Sequence, residues 1–373
     1  MTNKDYETDN SLFECSDEAE FQSFIEEREQ ASEWTEATIR EMKIEASTAF
    51  SPKCTISEAS RREASFLVKH PHFGVLYLRN IAASSLLERA RIGGYALGEL
   101  TKDDFAYVVT KCLETAKVND ITKIRVQEGK AAAFMASSYK IIPQPEIFRQ
   151  TSDHITSQFG GSFSKGVWSH SLSLAEYSVS LPVEDYEDIF KSKGMSFSDI
   201  TMSVSVVASD TGHSGVNIYP SVIGTMPGGR RYRVPILGSI CMDHKGKANI
   251  KEFDSNLSLA FSQTEKSKER IRELDSITLN YPFNCFCNIL KKVGIGKKQA
   301  MDVLNRFAVT IGNDASATAA DVYFKACEIS FELDQDDTLG MMTLDENIAK
   351  ILKLSDKSWS DFDRPLNCWS FNI

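Results

Sequence analysis

The sequence predicts an α+β protein: a central, mostly antiparallel sheet, a helical C-terminal part, and an acidic, partly disordered N-terminal segment. Three observations carry this. Residues 199–244, DITMSVSVVASDTGHSGVNIYPSVIGTMPGGRRYRVPILGSICMDH, join segments rich in Val, Ile, Ser and Thr through Gly-rich turns, as strands and hairpins require. After Asn256 the apolar residues Leu257, Ala260, Phe261, Thr264 and Ile271 recur at helical spacing. Residues 1–50 hold 4 Lys and Arg against 14 Asp and Glu, too much like charge and too little apolar content for a core of their own. The expected units are an acidic segment over 1–50, an α+β body over 51–255 and a helical part over 256–373 packed on that body.

In residues 1–50, Phe21, Phe24 and Ile25, then Ile39 and Met42, form one side of short helices in an otherwise solvated, partly disordered lead-in; the alternative is a tail that covers a basic surface or carries a partner contact. Ser57 caps a helix through Val68, which Pro71 stops. Phe73–Leu78 reads as a buried strand, and Ala82–Arg91 as a helix ending at Gly93-Gly94. Thr101 is an N-cap with acids in the first turn behind it. Ile121–Val126 and Ala131–Met135 form a hairpin across Glu128-Gly129-Lys130, and Pro143 and Pro145 open a helix through Phe159. Ser171–Pro182 alternates like a strand, and a short acidic helix follows. In the β-rich block Met202, Val204 and Val206 share one strand face and Ser203, Ser205 and Val207 the other. Pro282–Phe307 holds two helices split at Gly294-Ile295-Gly296, and Thr318–Phe331 another. Trp359 and Trp369 pack back on the body.

With 373 residues, 42% hydrophobic and 25% charged, the chain can bury a substantial core. It has no apolar run of membrane-spanning length and a polar start, so we expect a cytoplasmic protein with no membrane partner. Cys15, Cys54, Cys112, Cys241, Cys285, Cys287, Cys327 and Cys368 are scattered and read as free thiols. The net charge of −10 is uneven: residues 229–306 hold 15 basic against 8 acidic side chains, and residues 320–373 hold 5 against 11. A basic stretch in an acidic chain binds phosphates locally without coating the protein in nucleic acid.

Two elements in that stretch suit phosphate contacts. Leu290–Leu304, LKKVGIGKKQAMDVL, has the helix–hairpin–helix pattern. Gly294 and Gly296 allow close backbone approach, the second helix offers free N–H groups, and Lys297 and Lys298 add charge. Arg230, Arg231 and Arg233 beside Gly228-Gly229, with Lys245, Lys247 and Lys251 beyond, form the second element. Against each stands a plainer alternative: a helical turn with a C-cap glycine, and a solvated loop.

Other chemistry is weaker. Asp210-Thr211-Gly212 resembles an aspartic-protease loop but has no second copy, so a turn is preferred. Cys241 and His244 with Cys285 and Cys287 could supply four zinc ligands, but the pairs lie far apart and buried thiols are preferred. No nucleophile elbow or Walker A loop is present. No catalytic residue, metal or cofactor is assigned.

IRVQEGKAAAFMASSYKII, ASDTGHSGVNIYPSVI with GSICMDH, and TAADVYFKACEIS together resemble a family encoded by bacteriophages and plasmids, the phage/plasmid-like domain of unknown function. The likeness runs from about Ile121 to Leu333. Where that family has Cys-Asn-Gly this chain has Cys241-Met242-Asp243, and the family's Trp-His near the N-terminus is absent. The resemblance implies a mobile-element origin, often beside replication and recombination genes, and supplies no catalytic residues. The expected function is a mobile-element accessory protein that binds nucleic acid without doing chemistry, as in single-strand binding or annealing. The alternative is a structural or protein-interaction role, as a virion component or an inhibitor of a host enzyme, with a protein partner or self-association.

Overall fold

The computed structural model describes residues 12–47, 66–116, 121–169, 171–179, 184–212, 214–246, 249–311, 317–332 and 338–365. The chain begins with β1 (Leu12–Cys15), α1 (Glu18–Gln30), β2 (Ser32–Thr38) and β3 (Lys43–Ala46). There follow β4 (Phe66–His70), β5 (Gly74–Leu78), α2 (Asn80–Ala90) and α3 (Lys102–Thr115). The hairpin β6 (Ile121–Gln127) and β7 (Lys130–Ala136) leads into α4 (Gln144–Phe159). Next come β8 (Ser162–Ser169), β9 (Leu172–Val179), α5 (Glu184–Ser192), β10 (Asp199–Ser209), β11 (Val216–Thr225), β12 (Arg231–Pro235) and β13 (Ile240–Met242). The remainder is almost all helix: α6 (Ile250–Ser276), β14 (Thr278–Leu279), α7 (Pro282–Val293), α8 (Lys297–Ile311), β15 (Ala317–Thr318), α9 (Ala319–Glu332), α10 (Thr338–Ala349) and α11 (Asp356–Phe362).

The fold is α+β and mostly antiparallel, and its strands divide over two main sheets. The larger runs β1-β8-β9-β10-β11-β12, with β13 also paired to β11. The smaller runs β2-β6-β7-β5-β4-β3, and only its β5–β7 pair is parallel. In that sheet β2 and β3 are opposite edges, yet only residues 39–42 connect them. Five strand spacings of about 4.8 Å would separate the edges of a flat sheet by roughly 24 Å. The connection reaches at most about 18 Å. The sheet therefore curls toward a barrel, with Ile39, Met42, Val68, Ile124 and Phe134 inside and Leu86 of α2 and Val109 of α3 closing the core.

The larger sheet is covered on both faces. Met202, Val204 and Val206 of β10 point into the main core with Ile147, Phe148 and Ile155 of α4 and Phe253 and Leu257 of α6. The alternate residues Ser203 and Ser205 are as fully buried on the other face, where Val207 packs with Met342 of α10. Trp359 of α11 is buried, as expected; Trp369 lies outside the described residues.

Two expectations are corrected. Residues 12–46 are not a solvated lead-in: β1 edges the larger sheet, β2 and β3 edge the smaller, and Phe21, Ile25, Ile39 and Met42 are core residues. Asp17 caps α1 by accepting from the Glu20 N–H, and the acids of this stretch lie mostly on outward faces. Removing this segment would strip one edge from the larger sheet and both edges from the smaller. Phe66–His70 is a strand, not the end of a helix from Ser57 (which lies outside the described residues), because Phe66, Val68 and His70 alternate into the small-sheet core.

The two sheets meet at a buried polar junction. Arg28 of α1 pairs with Asp210 at the end of β10 at 2.9 Å, with side chains 9% and 4% exposed. The Arg28 guanidinium also lies 3.9 Å from the Trp168 ring centroid. Arg79, capping α2, donates to Ser171 Oγ at 2.9 Å and to Gln127 Oε1 at 3.3 Å, and Arg28 reaches the same Gln127 oxygen at 3.4 Å. The Asp210-Thr211-Gly212 segment is thus a turn, with Gly212 at φ +70°.

Asp210→Ala leaves the Arg28 charge buried without its carboxylate. We expect a loss of about 3–5 kcal/mol in urea unfolding, and less than the sum of the single losses when Arg28→Met is added. Additive losses would mean that the pair does not couple the sheets.

Candidate nucleic-acid interface

The six cations expected around the Pro-Gly-Gly-Arg-Arg loop do not form one phosphate-binding surface. Arg231 and Arg233 lie in β12 and both reach Glu176 of β9, which is 2% exposed. Arg233 contacts Glu176 Oε2 at 3.0 Å and also faces Asp345 of α10 at 3.4 Å. Ser203 donates to Glu176 Oε1 at 3.0 Å and Ser330 to Asp345 Oδ1 at 2.8 Å. Burial alone would raise the Glu176 carboxyl, but the Arg233 and Arg231 guanidiniums outweigh it and hold it down to about 2. Asp345 has burial as its largest influence, which outweighs the Arg233 guanidinium and the Ser330 hydroxyl and pushes its carboxyl up to about 6. Arg230 lies over the Phe331 ring at 3.9 Å and donates to the Phe331 carbonyl at 3.1 Å. These arginines hold α9 and α10 onto the sheet, which removes Arg231 and Arg233 from the phosphate-binding set.

Lys245 is exposed, just after His244, and Lys251 is exposed in the first turn of α6. Lys247 lies outside the described residues.

The helix–hairpin–helix segment adopts the expected shape. α7 ends at Gly294, φ +84°, in a Schellman arrangement: the Ile295 N–H donates to the Leu290 carbonyl at 2.9 Å and the Gly294 N–H to Lys291 at 3.3 Å. Ile295 is buried, so the link is anchored from below. Gly296 is the N-cap of α8, its carbonyl accepting from the N–H groups of Gln299 and Ala300. The Gln299 side chain returns to accept from the Gly296 N–H at 3.3 Å, half of a capping box. A glycine N-cap has no side chain to occupy the first N–H groups of α8, at the positive end of the helix. Around this end stand Lys291, Lys292 and Lys298, all exposed, and the half-buried Lys297. Among the described residues none of the four makes an ion pair. Lys291 and Lys292 belong to this cluster although only the second pair stands out from sequence; they sit one turn before the glycine in the same motif.

The weaker candidates separate. Cys285 and Cys287 are buried in α7, where burial pushes the Cys285 thiol up to about 12, while Cys241 is exposed on β13. Among the described residues no three His, Cys, Asp or Glu side chains form a metal-binding group. His213, beside the Asp210 turn, lies outside the described residues. No helix among the described residues is long and apolar enough to cross a membrane. No family model, curated protein or solved structure matches the chain.

The Glu176–Asp345 site makes stability depend on pH in two opposing ways. Glu176 is held below its ordinary 4.5, so its contribution is present above that value and lost as pH falls toward 2. Asp345 is raised from 3.8, so its contribution is present below that value and lost as pH rises through 6. We expect Asp345→Asn to flatten the stability profile between about pH 4 and 7, and Glu176→Gln to destabilise at pH 7 by about 3 kcal/mol or more. Denaturant titrations across pH read both; an Asp345→Asn profile parallel to the parent would contradict the assignment.

Proposed function

We propose that this protein binds nucleic acid non-enzymatically, through phosphate contacts made by the α7–α8 hairpin. One observation carries the reading: four lysines with no intramolecular ion pair among the described residues flank, along the chain, a helix start whose N-cap is a glycine and so has no side-chain cap. Lysine charge and helix N–H groups grip the backbone without reading bases, so the binding is sequence-independent and salt-sensitive. In a chain of net charge −10 the grip is confined to this end. The resemblance to the phage/plasmid-like family supplies the setting, in which single-strand binding or annealing during mobile-element replication or recombination is the concrete role. The arginines of β12 have no part in it.

The test is fluorescence anisotropy with single- and double-stranded DNA across a salt series. The intact chain should bind more weakly as salt rises. Changing Lys291, Lys292, Lys297 and Lys298 to Ala should flatten the slope of log K against log salt by about 0.7–0.9 for each phosphate no longer neutralised, with thermal stability unchanged. No binding at low salt, or binding indifferent to these changes, would remove the nucleic-acid reading and favour a protein partner.

A further inference from the structure

α4 and α6 pack against each other, and each contributes two polar side chains one turn apart to the contact: Gln150 and His154 from α4, Asp254 and Ser258 from α6. His154 Nδ1 lies 2.8 Å from Asp254 Oδ1, and Gln150 Nε2 donates to the same oxygen at 3.0 Å. A carboxylate oxygen can only accept, so in the neutral ring Nδ1 carries the proton and Nε2 is the acceptor. Ser258 Oγ lies 3.2 Å from Nε2 and is then the donor. Carboxylate, imidazole and hydroxyl thus form one continuous chain, in the order and polarity that activate a serine nucleophile.

The chain is held from within and open at one end. The His154 side chain is 10% exposed, and its ring lies 5.7 Å from that of Phe159, which stacks on Phe261 at 3.8 Å. Ser258 is exposed. Its hydrogen bond sets it apart from the other serines of α6. Ser255, Ser262, Ser267 and Ser276 each donate to a backbone carbonyl three or four residues back, the usual arrangement for serine inside a helix. Ser258 turns to the imidazole instead, so its proton has a base within reach.

We propose that Ser258 is an activated nucleophile that takes an acyl group from an activated ester, with His154 as its general base and Asp254 as the residue that positions His154. Ser258 Oγ attacks the ester carbonyl carbon as its proton passes to His154 Nε2. The carbon–oxygen bond to the leaving group then breaks, and the imidazolium returns the proton to the departing oxygen, leaving an acyl-serine and an alcohol. The backbone N–H groups around Ser258 are engaged within α6, so water and not a set of fixed donors meets the developing oxyanion. That restricts the site to acyl donors with a good leaving group. The inference is independent of the hairpin reading, because the site shares no residue with α7 or α8.

The experiment is acetylation of the full chain by p-nitrophenyl acetate, followed by p-nitrophenolate release and by peptide mass spectrometry. Ser258 should be acetylated at least roughly tenfold faster than the exposed Ser255 and Ser262 of the same helix, and its rate should fall on acidification as the imidazole is protonated. His154→Gln and Asp254→Asn should each slow Ser258 by roughly tenfold or more and leave Ser255 and Ser262 unchanged, and Ser258→Ala should remove the fast phase. Acetylation of Ser258 no faster than that of Ser255 and Ser262 overturns the proposal, and this comparison is made in the unaltered chain, whether or not a variant folds. So does a fast phase that survives Ser258→Ala, or a Ser258 rate indifferent to His154→Gln. A rate that falls in His154→Gln but not in Asp254→Asn overturns the role of Asp254.

Discussion

The contact between Arg28 and Asp210 is the constraint on which the arrangement of this molecule depends. It joins α1 to the residue that follows β10, at the place where the Gln127 end of β6 and the β8–β9 hairpin come together. Two arginines and one carboxylate are withdrawn from water there, which is costly unless the donors find partners. Gln127, Ser171 and the Trp168 face provide them. Such a junction discriminates geometry more sharply than an apolar one, because a small slide between the sheets would leave charge unpaired in a dry environment.

The same logic operates across the larger sheet. One face of β10 is aliphatic, and the other presents Ser203 to Glu176, which Arg233 links to Asp345 of α10. The helical C-terminal part is therefore seated on the sheet by polar pairing on one side and by ordinary packing on the other. At these sites arginine serves inside the molecule, and at the α7–α8 hairpin the cations are lysines. This division follows from chemistry: the planar guanidinium satisfies several acceptors at once, whereas the ammonium is more strongly hydrated.

Much of the architecture was legible in local sequence. Thr101 caps its helix, Glu128-Gly129 turns the β6–β7 hairpin, and Gly294-Ile295-Gly296 divides two helices, because each depends on residues close along the chain. What could not be read depends on distant partners. Arg231 and Arg233 beside two glycines looked like a mobile phosphate-binding loop; only the cross-sheet position of Glu176 makes them structural. One trace was present, since Glu176 interrupts the alternating Ser171–Pro182 segment at a position that a strand must bury. The acidic N-terminal residues were opaque for the same reason: β2 finds its partner in β6, about ninety residues on.

The pairing of β1 with β8 bears on how the chain is made. Leu12 lies opposite Ser169, so the edge of the larger sheet cannot close until well over a hundred further residues have been synthesised. Between these, β2 must wait for β6. β1 and β2 thus stay unsecured while the intervening residues are made, and α1, with its arginine, travels with them. During synthesis a nascent chain carries two incomplete sheets with unpaired strand edges, the kind of surface that chaperones shield and that slows assembly relative to local helix formation.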